Sequence, residues 1–241
     1  MGATAHLLRG LAATLLWVAA SAAWAGAQKY EPLSAAVQAR LQRSVADEGA
    51  TRVAFASDAD AEVWLATMSP RLVKRMPDEA GRREFLLTAH YEATRAGLDP
   101  HLVLGLIQVE SNFRKYAVSS AGARGFMQVM PFWTNVIGST EHNLFHLRTS
   151  LRYGCTILRH YLDIEKGDMY RALARYNGSL GKNSGYPEMV LGASRRHWAP
   201  DAPATAQRVG RQPREPSEPR KHTGPQVRAQ SSGPMQYMGS P

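Results

Sequence analysis

The 241-residue sequence contains a single cysteine, Cys155, so no disulfide can form within the chain. The fold must therefore depend on a hydrophobic core, for which a hydrophobic content of 44% is sufficient. Cys155 lies in an apolar pattern of helical period, which indicates buried packing rather than a reactive thiol. Runs of alternating apolar and polar residues are also lacking, which predicts a mostly α-helical fold.

A zinc-protease motif is missing as well. His142 and His146 have the spacing of an H-E-x-x-H helix, but the glutamate of that motif is not there. Their neighbours are typical of a loop, so both are predicted to be surface histidines. No metal or other cofactor is expected.

Acidic residues are too few to balance the basic ones, and the formal net charge is +9. Such an excess favours a polyanionic partner or an acidic surface, for example nucleic acid, anionic lipid or a bacterial wall polymer. Nucleic acid is not expected, because no stacking or groove-reading module is apparent and because the chain begins with the features of an export signal.

Residues 1–27 have the layout of a cleavable secretory signal peptide. Arg9 provides a short basic head, an apolar run follows over residues 11–20, and A-x-A patterns occupy residues 23–25 and 25–27. A transmembrane anchor is the alternative, but the apolar run is short for a bilayer span. We therefore expect a periplasmic protein with no stable membrane insertion after cleavage, although the two patterns leave the cleavage site open.

Composition divides the rest of the chain into three parts. Residues 28–82 are predicted to be an N-terminal helical extension, and residues 83–199 the main domain. Residues 200–241 are rich in Pro, Ser, Gln and Arg and have too few apolar residues to form a core, which is typical of a disordered basic tail. We interpret the tail as an inert extension, with electrostatic tethering to an anionic wall as the less favoured alternative.

The most informative predicted helix begins after Asp99, an N-cap residue, and ends on the carboxyl group of Glu110. It is apolar on almost every side and is predicted to be buried all round. Burial and the negative end of the helix dipole both disfavour a charged carboxylate, so both should raise the pKa of Glu110, as a general acid at neutral pH requires. Pairing with Arg114 is the alternative. The small residues at positions 119–125 would let a bulky ligand approach the backbone.

The stretch "ESNFRKYAVSSAGARGFMQVMP" at residues 110–131 resembles the signature of the soluble lytic transglycosylases of the SLT family. "NLFHLRTSLRYGCTIL" at residues 143–158 and "ALARYNGS" at residues 172–179 are similar to the next two motifs of that family, in the same order. The resemblance extends from about Phe85 to about Tyr186. It implies a lysozyme-like α-helical fold with a long glycan cleft, and it makes residues 83–199 an SLT-type lytic transglycosylase domain.

The resemblance also implies roles for single residues. Glu110 matches the catalytic acid and base, and Ser111 matches the serine paired with it. Tyr176 matches a tyrosine that forms hydrogen bonds near the acid, and Asn177 matches its companion, with helix-end packing and capping as the alternatives.

Three further residues are predicted to bind substrate. Ser119 and Gln128 match residues that line the glycan subsites, while Met130 is a candidate for the pocket lining, with plain core packing as its alternative. Among the departures from the family pattern, Arg175 replaces an alanine and is expected to face solvent, and Ser150 is one of two residues that stand where an asparagine is common.

The reaction that the resemblance implies needs only one carboxyl group. Glu110 would protonate the oxygen of the β-1,4 bond between N-acetylmuramic acid and N-acetylglucosamine. It would then take the proton of the C6 hydroxyl, which closes a 1,6-anhydro ring. Ordinary glycosidases use two carboxyl groups. Glu141, the other acid between His101 and Ser150, lies in a polar loop and is expected to be solvated.

Two alternatives for the function remain open on the sequence. One is a hydrolytic, goose-type lysozyme-like muramidase, and the other is a noncatalytic peptidoglycan-binding protein. The partners implied are peptidoglycan glycan strands, and cell-wall or secretion machinery is an open further class.

Overall fold

The computed structural model describes residues 28–46 and 55–200. The predicted signal peptide and nearly all of the predicted tail lie outside the described residues. The eight α-helices of these two ranges are α1 (Ala35–Val45), α2 (Asp58–Leu72), α3 (Glu79–Arg95), α4 (Pro100–Ser111), α5 (Phe132–Ile137), α6 (Leu147–Ile164), α7 (Met169–Asn177) and α8 (Tyr186–Ala193). A π-helical turn, Ser194–Trp198, follows α8. Within the described ranges there is no β-strand, so the predicted mostly α-helical fold is confirmed.

Side-chain caps explain where most of these helices begin. The side chains of Asp78, Asp99 and Asp168 accept hydrogen bonds from the first turns of α3, α4 and α7. At α2 the cap is Ser57, and Asp58 and Asp60 lie in the first turn of the helix. Gly178 ends α7 in the left-handed conformation, with a φ of 76°, as glycine readily does.

Helix α4 lies at the centre of the hydrophobic core. Val103, Leu104, Leu106 and Ile107 have no solvent exposure, as the apolar pattern predicts. The helix packs against α3, α8 and the π-helical turn. Gly105 allows this close packing, because a Cβ atom there would lie 2.7 Å from the backbone nitrogen of Ser194.

The N-terminal segment packs on the rest of the fold. Helix α1 contacts α5 and α6, and the Gln38 side chain donates a hydrogen bond of 2.9 Å to the Val136 carbonyl. Arg40 forms an ion pair with Asp163 of α6 at 3.0 Å. None of the helices in the described part of the chain has the length and apolar character needed to cross a membrane.

Candidate active site

The loop between α4 and α5 is held in shape by backbone hydrogen bonds. The amide and carbonyl groups of Arg124 pair with those of Val129 at 2.9 and 3.0 Å, and the Gly125 amide donates to the Ala117 carbonyl at 3.0 Å. Gly125 has a φ of 76°, and a Cβ atom there would lie 2.2 Å from the Leu144 carbonyl oxygen. Only glycine fits this position, so the glycine at position 125 is a requirement of the backbone.

Glu110 lies in the last turn of α4 with 4% of its surface exposed. Its Oε1 atom accepts a hydrogen bond from the Tyr186 hydroxyl at the start of α8. Its Oε2 atom is buried and has no hydrogen-bond partner among the described residues. Arg114, which the sequence offered as a partner for this acid, donates instead to the Ser111 carbonyl at 3.0 Å.

Burial raises the pKa of Glu110 from 4.5 to about 8, and the hydrogen bond from Tyr186 opposes this rise. The carboxyl group is therefore mainly protonated at neutral pH. A buried acid that keeps its proton at this pH is suited to general acid catalysis.

Tyr176 is fully buried near this acid but does not bond to it in the described structure. Its hydroxyl donates to the Met127 carbonyl at 2.8 Å. Burial, and next the negative charge of an ionised Glu110, raise the pKa of Tyr176 well above its ordinary value.

Tyr186 makes the hydrogen bond to the acid, although the sequence did not indicate it as a site residue. Its only local signal is an aromatic hydroxyl after Gly185, because the pairing joins residues 76 positions apart.

The remaining predicted site residues lie along the same loop and helix ends. The Ser111 hydroxyl donates to the Ile107 carbonyl of its own helix at 3.2 Å. Ser119 accepts a hydrogen bond of 3.0 Å from the Ala123 amide, which closes a tight turn. Asn177 is the last residue of α7 and is 9% exposed.

Gln128 turns inward and supports the loop. This residue has a φ of 50° and is 1% exposed. Its amide nitrogen donates to the carbonyl groups of Ala117 and Gly125 at 3.1 and 3.0 Å. Met130, two residues later, is half-buried against the hydrophobic core. Binding of substrate by these residues stays a prediction.

Several expectations about the surroundings can be compared with the structure. Arg175 was expected to face solvent, which is wrong: its side chain is 18% exposed and pairs with Glu31 and Glu165. Ser150 accepts a hydrogen bond from the Met127 amide at 3.4 Å, so it supports the loop. Glu141 is exposed, as expected.

Two further expectations concern Cys155 and the histidines. Cys155 is buried, and burial raises the pKa of its thiol, so its predicted packing role is confirmed. His142 forms a hydrogen bond of 2.6 Å with the Tyr153 hydroxyl. Within residues 28–46 and 55–200, no group of three or more metal-ligating side chains is present.

The fold and the buried, protonated carboxyl define a helical, lysozyme-like domain. Comparison with known families makes this specific, because residues 88–189 match the family model described as "Transglycosylase SLT domain". The predicted resemblance of this part of the chain to the SLT family is therefore confirmed.

The curated relatives have related names. The chain is 31% identical over 118 residues to the "Transglycosylase" of Enterobacteria phage PRD1, which covers 46% of this chain and 43% of the phage protein. It is 47% identical over 53 residues to "Membrane-bound lytic murein transglycosylase C" of Actinobacillus pleuropneumoniae serotype 5b (strain L20), covering 22% of this chain and 14% of that protein. A protein of the same name from Haemophilus influenzae (strain PittEE) is 45% identical over 53 residues, with coverage of 22% and 15%. The chain spans less than half the length of these relatives.

Proposed function

We propose that this chain is a peptidoglycan lytic transglycosylase. It cleaves the β-1,4 bond between N-acetylmuramic acid and N-acetylglucosamine and leaves 1,6-anhydro-N-acetylmuramic acid ends. The observation that carries this proposal is Glu110, a buried carboxyl with a pKa of about 8 inside an SLT domain. The names of the relatives support the same class of reaction.

The first step is protonation of the leaving oxygen. Tyr186 donates to Oε1 of Glu110, so the proton of the neutral acid belongs on Oε2, the oxygen without a partner in the described structure. A buried donor without an acceptor is unfavourable. The glycosidic oxygen would supply the acceptor. Because Oε2 is shielded from solvent, neighbouring side chains must shift as the glycan enters.

The second step uses the same group as a base. The bond between C1 and the protonated glycosidic oxygen breaks, the N-acetylglucosamine leaves as an alcohol, and Glu110 is left ionised. Glu110 then takes the proton from the C6 hydroxyl of the muramic acid, and that oxygen attacks C1 and closes the anhydro ring. The nucleophile is already part of the substrate, so its capture needs no second carboxylate or water. The hydroxyl of Tyr186 would stabilise the charged form of Glu110 between the two steps, because its hydrogen bond lowers the pKa of the acid.

The loop and α7 would form the walls of the sugar site. Ser119 and Gln128 shape the loop, and Tyr176 ties the loop to α7. We propose that the exposed parts of this wall, with Met130 and Asn177, contact the glycan, and that Ser111 supports the acid from within α4. Export by the N-terminal signal would place the enzyme in the periplasm, where its substrate strands are found.

The direct test is digestion of purified peptidoglycan by three forms of the complete chain: unaltered, Glu110→Gln and Glu141→Gln. We expect anhydro products, lighter by one water than products with reducing ends, and a loss of about 10³-fold in rate for Glu110→Gln, as for a general acid. Glu141 is an exposed glutamate in a loop and provides the matched control, so its variant should act like the unaltered protein.

The other outcomes separate the alternatives. Products that carry reducing ends would contradict the proposal and identify a hydrolytic muramidase. Binding of peptidoglycan without any turnover would identify a noncatalytic binding protein. Full activity of Glu110→Gln would show that another group is the acid.

A further inference from the structure

A short extended segment before α1 reaches into the candidate active site. Its first described residue, Gln28, is 4% exposed. The side-chain Oε1 of Gln28 accepts a hydrogen bond of 3.0 Å from the Met130 amide, and its Nε2 donates to the Gln128 carbonyl at 3.2 Å. One side-chain amide thus binds two backbone groups on either side of Val129, as the backbone of a neighbouring strand would.

Such a burial is unusual for glutamine, which is mostly exposed in proteins. A buried amide is unfavourable unless its polar atoms form hydrogen bonds. Here both ends of the Gln28 amide are bonded, and both of its backbone partners would lose a hydrogen bond if the side chain were removed. The contact therefore fixes the end of the loop at which Met130 lies.

The same side chain is connected to the acid through Tyr176. The Gln28 side chain forms a hydrogen bond with the Tyr176 hydroxyl, which also donates to the Met127 carbonyl. The charge of Glu110 acts on that hydroxyl too, so the tyrosine lies within electrostatic reach of the acid. Gln28 therefore contacts both the loop and a tyrosine that lies near the carboxyl group.

The segment is attached at further points along its length. The ring of Tyr30 packs edge-on against Phe132, with 5.7 Å between the ring centroids. Glu31 pairs with Arg175 of α7 at 2.9 Å, and Arg175 directly precedes Tyr176. These contacts hold the segment on α7 and on the start of α5, which directly follows the loop.

We propose that Gln28 is a positioning residue of the active site, which holds the loop at residues 127–130 and Tyr176 in the arrangement that the reaction at Glu110 needs. This inference rests on the proposed function. It gives the segment before α1 a role in catalysis, whereas the sequence predicted only that this segment is part of an N-terminal extension.

The test compares Gln28→Met and Gln28→Ala with Gln38→Ala, all in the complete chain, so that the cell itself removes any export signal. Methionine keeps the length of glutamine but removes both hydrogen bonds. Gln38 is the matched control, because its side chain also donates to a backbone carbonyl, that of Val136, from the same N-terminal region. The rates are measured on soluble glycan oligomers over a range of concentrations, and folding is followed by melting temperature.

We expect kcat to fall about 10- to 100-fold in both Gln28 variants with little change in KM, because misplacement of the reacting groups by about 1 Å has effects of this size. Gln38→Ala should keep the kcat of the unaltered protein, even if it melts at a similarly reduced temperature. Unchanged kcat in Gln28→Met would overturn the proposal. An equal loss in Gln38→Ala would overturn it as well, since the effect would then be one of general stability.

A second measurement is independent of turnover. Hydrogen exchange of the Met130 amide should become at least about tenfold faster in Gln28→Met, because a hydrogen bond of ordinary strength is lost, and should not change in Gln38→Ala. If exchange at Met130 is faster in Gln28→Met but the unaltered protein releases no anhydro products, the proposed function is wrong. The hydrogen bond between Gln28 and the loop is then still confirmed. If exchange at Met130 is unchanged, the positioning role fails even in an active enzyme.

Discussion

Two buried glutamates in this molecule have opposite surroundings. Glu92 of α3 is 1% exposed and is held by Arg152, whose guanidinium donates to both carboxylate oxygens at 2.8–3.1 Å. Arg95 and Arg148 lie within 3.8 and 3.6 Å of the same carboxylate. Glu110 of α4 is equally buried but contacts a tyrosine hydroxyl and has no salt bridge among the described residues.

The comparison shows that burial alone does not make a carboxyl group an acid catalyst. Arginines supply the positive charge that a buried carboxylate needs, so Glu92 can be charged and serve the structure. Glu110 receives one neutral hydrogen bond, so it holds its proton instead. The partners of a buried glutamate, which come from distant parts of the chain, therefore decide which of the two roles it has.

The largest expected effect on stability comes from breaking the charged pair. Glu92→Gln leaves Arg152 buried without its counter-charge, which typically costs about 3–5 kcal/mol. We expect a large fall in the free energy of unfolding in urea at pH 7. Glu110→Gln should show no such fall, because it replaces a neutral acid by a neutral amide. Equal destabilisation by the two substitutions would contradict the proposed difference between Glu92 and Glu110.

The second prediction concerns pH. The unfolded chain loses the Glu110 proton near pH 4.5, whereas the folded chain keeps it until about pH 8. Between these values the folded state binds more protons, so stability falls as pH rises, by at most about 1.4 kcal/mol per pH unit. The penalty is absent below pH 4.5 and constant above pH 8.

This dependence is measured as the difference between two proteins. Glu110→Gln should equal the unaltered protein in stability near pH 4 and exceed it near pH 8, since only the unaltered protein carries the penalty. Other titrating groups are common to both and cancel. A difference that does not change with pH would show that the Glu110 carboxyl has an ordinary pKa.

The smallest expected effect comes from Tyr186→Phe. Its hydrogen bond lowers the pKa of Glu110, so its removal should raise that pKa further and move the alkaline limb of the rate profile to higher pH. The rate should fall by about tenfold, because one neutral hydrogen bond of about 1–1.5 kcal/mol is lost. A profile that moves to lower pH would contradict the proposed contact.

The sequence was most informative where the chemistry is local. Asp99 caps the helix that its position predicts, and the apolar pattern before Glu110 predicts the burial of α4. These features depend on residues a few positions apart. Helices α5 and α8 were not predicted, because they have only six and eight residues.

The candidate site was predicted less completely, because it depends on contacts across the chain. Tyr186 bonds Glu110 over 76 positions, and Gln28 bonds Gln128 over 100. Arg175 was expected in solvent, and one of its two partners, Glu31, lies 144 positions away. No short pattern records such distant pairs, so the acid is predictable from the sequence and its long-range contacts are not.

The central claim is that Glu110 keeps its proton at neutral pH, and NMR tests it most directly. The carboxyl carbon of Glu110, labelled with carbon-13 and assigned by its loss in Glu110→Gln, is followed through a pH titration. We expect a midpoint near pH 8. A midpoint near the ordinary value of 4.5 would contradict it.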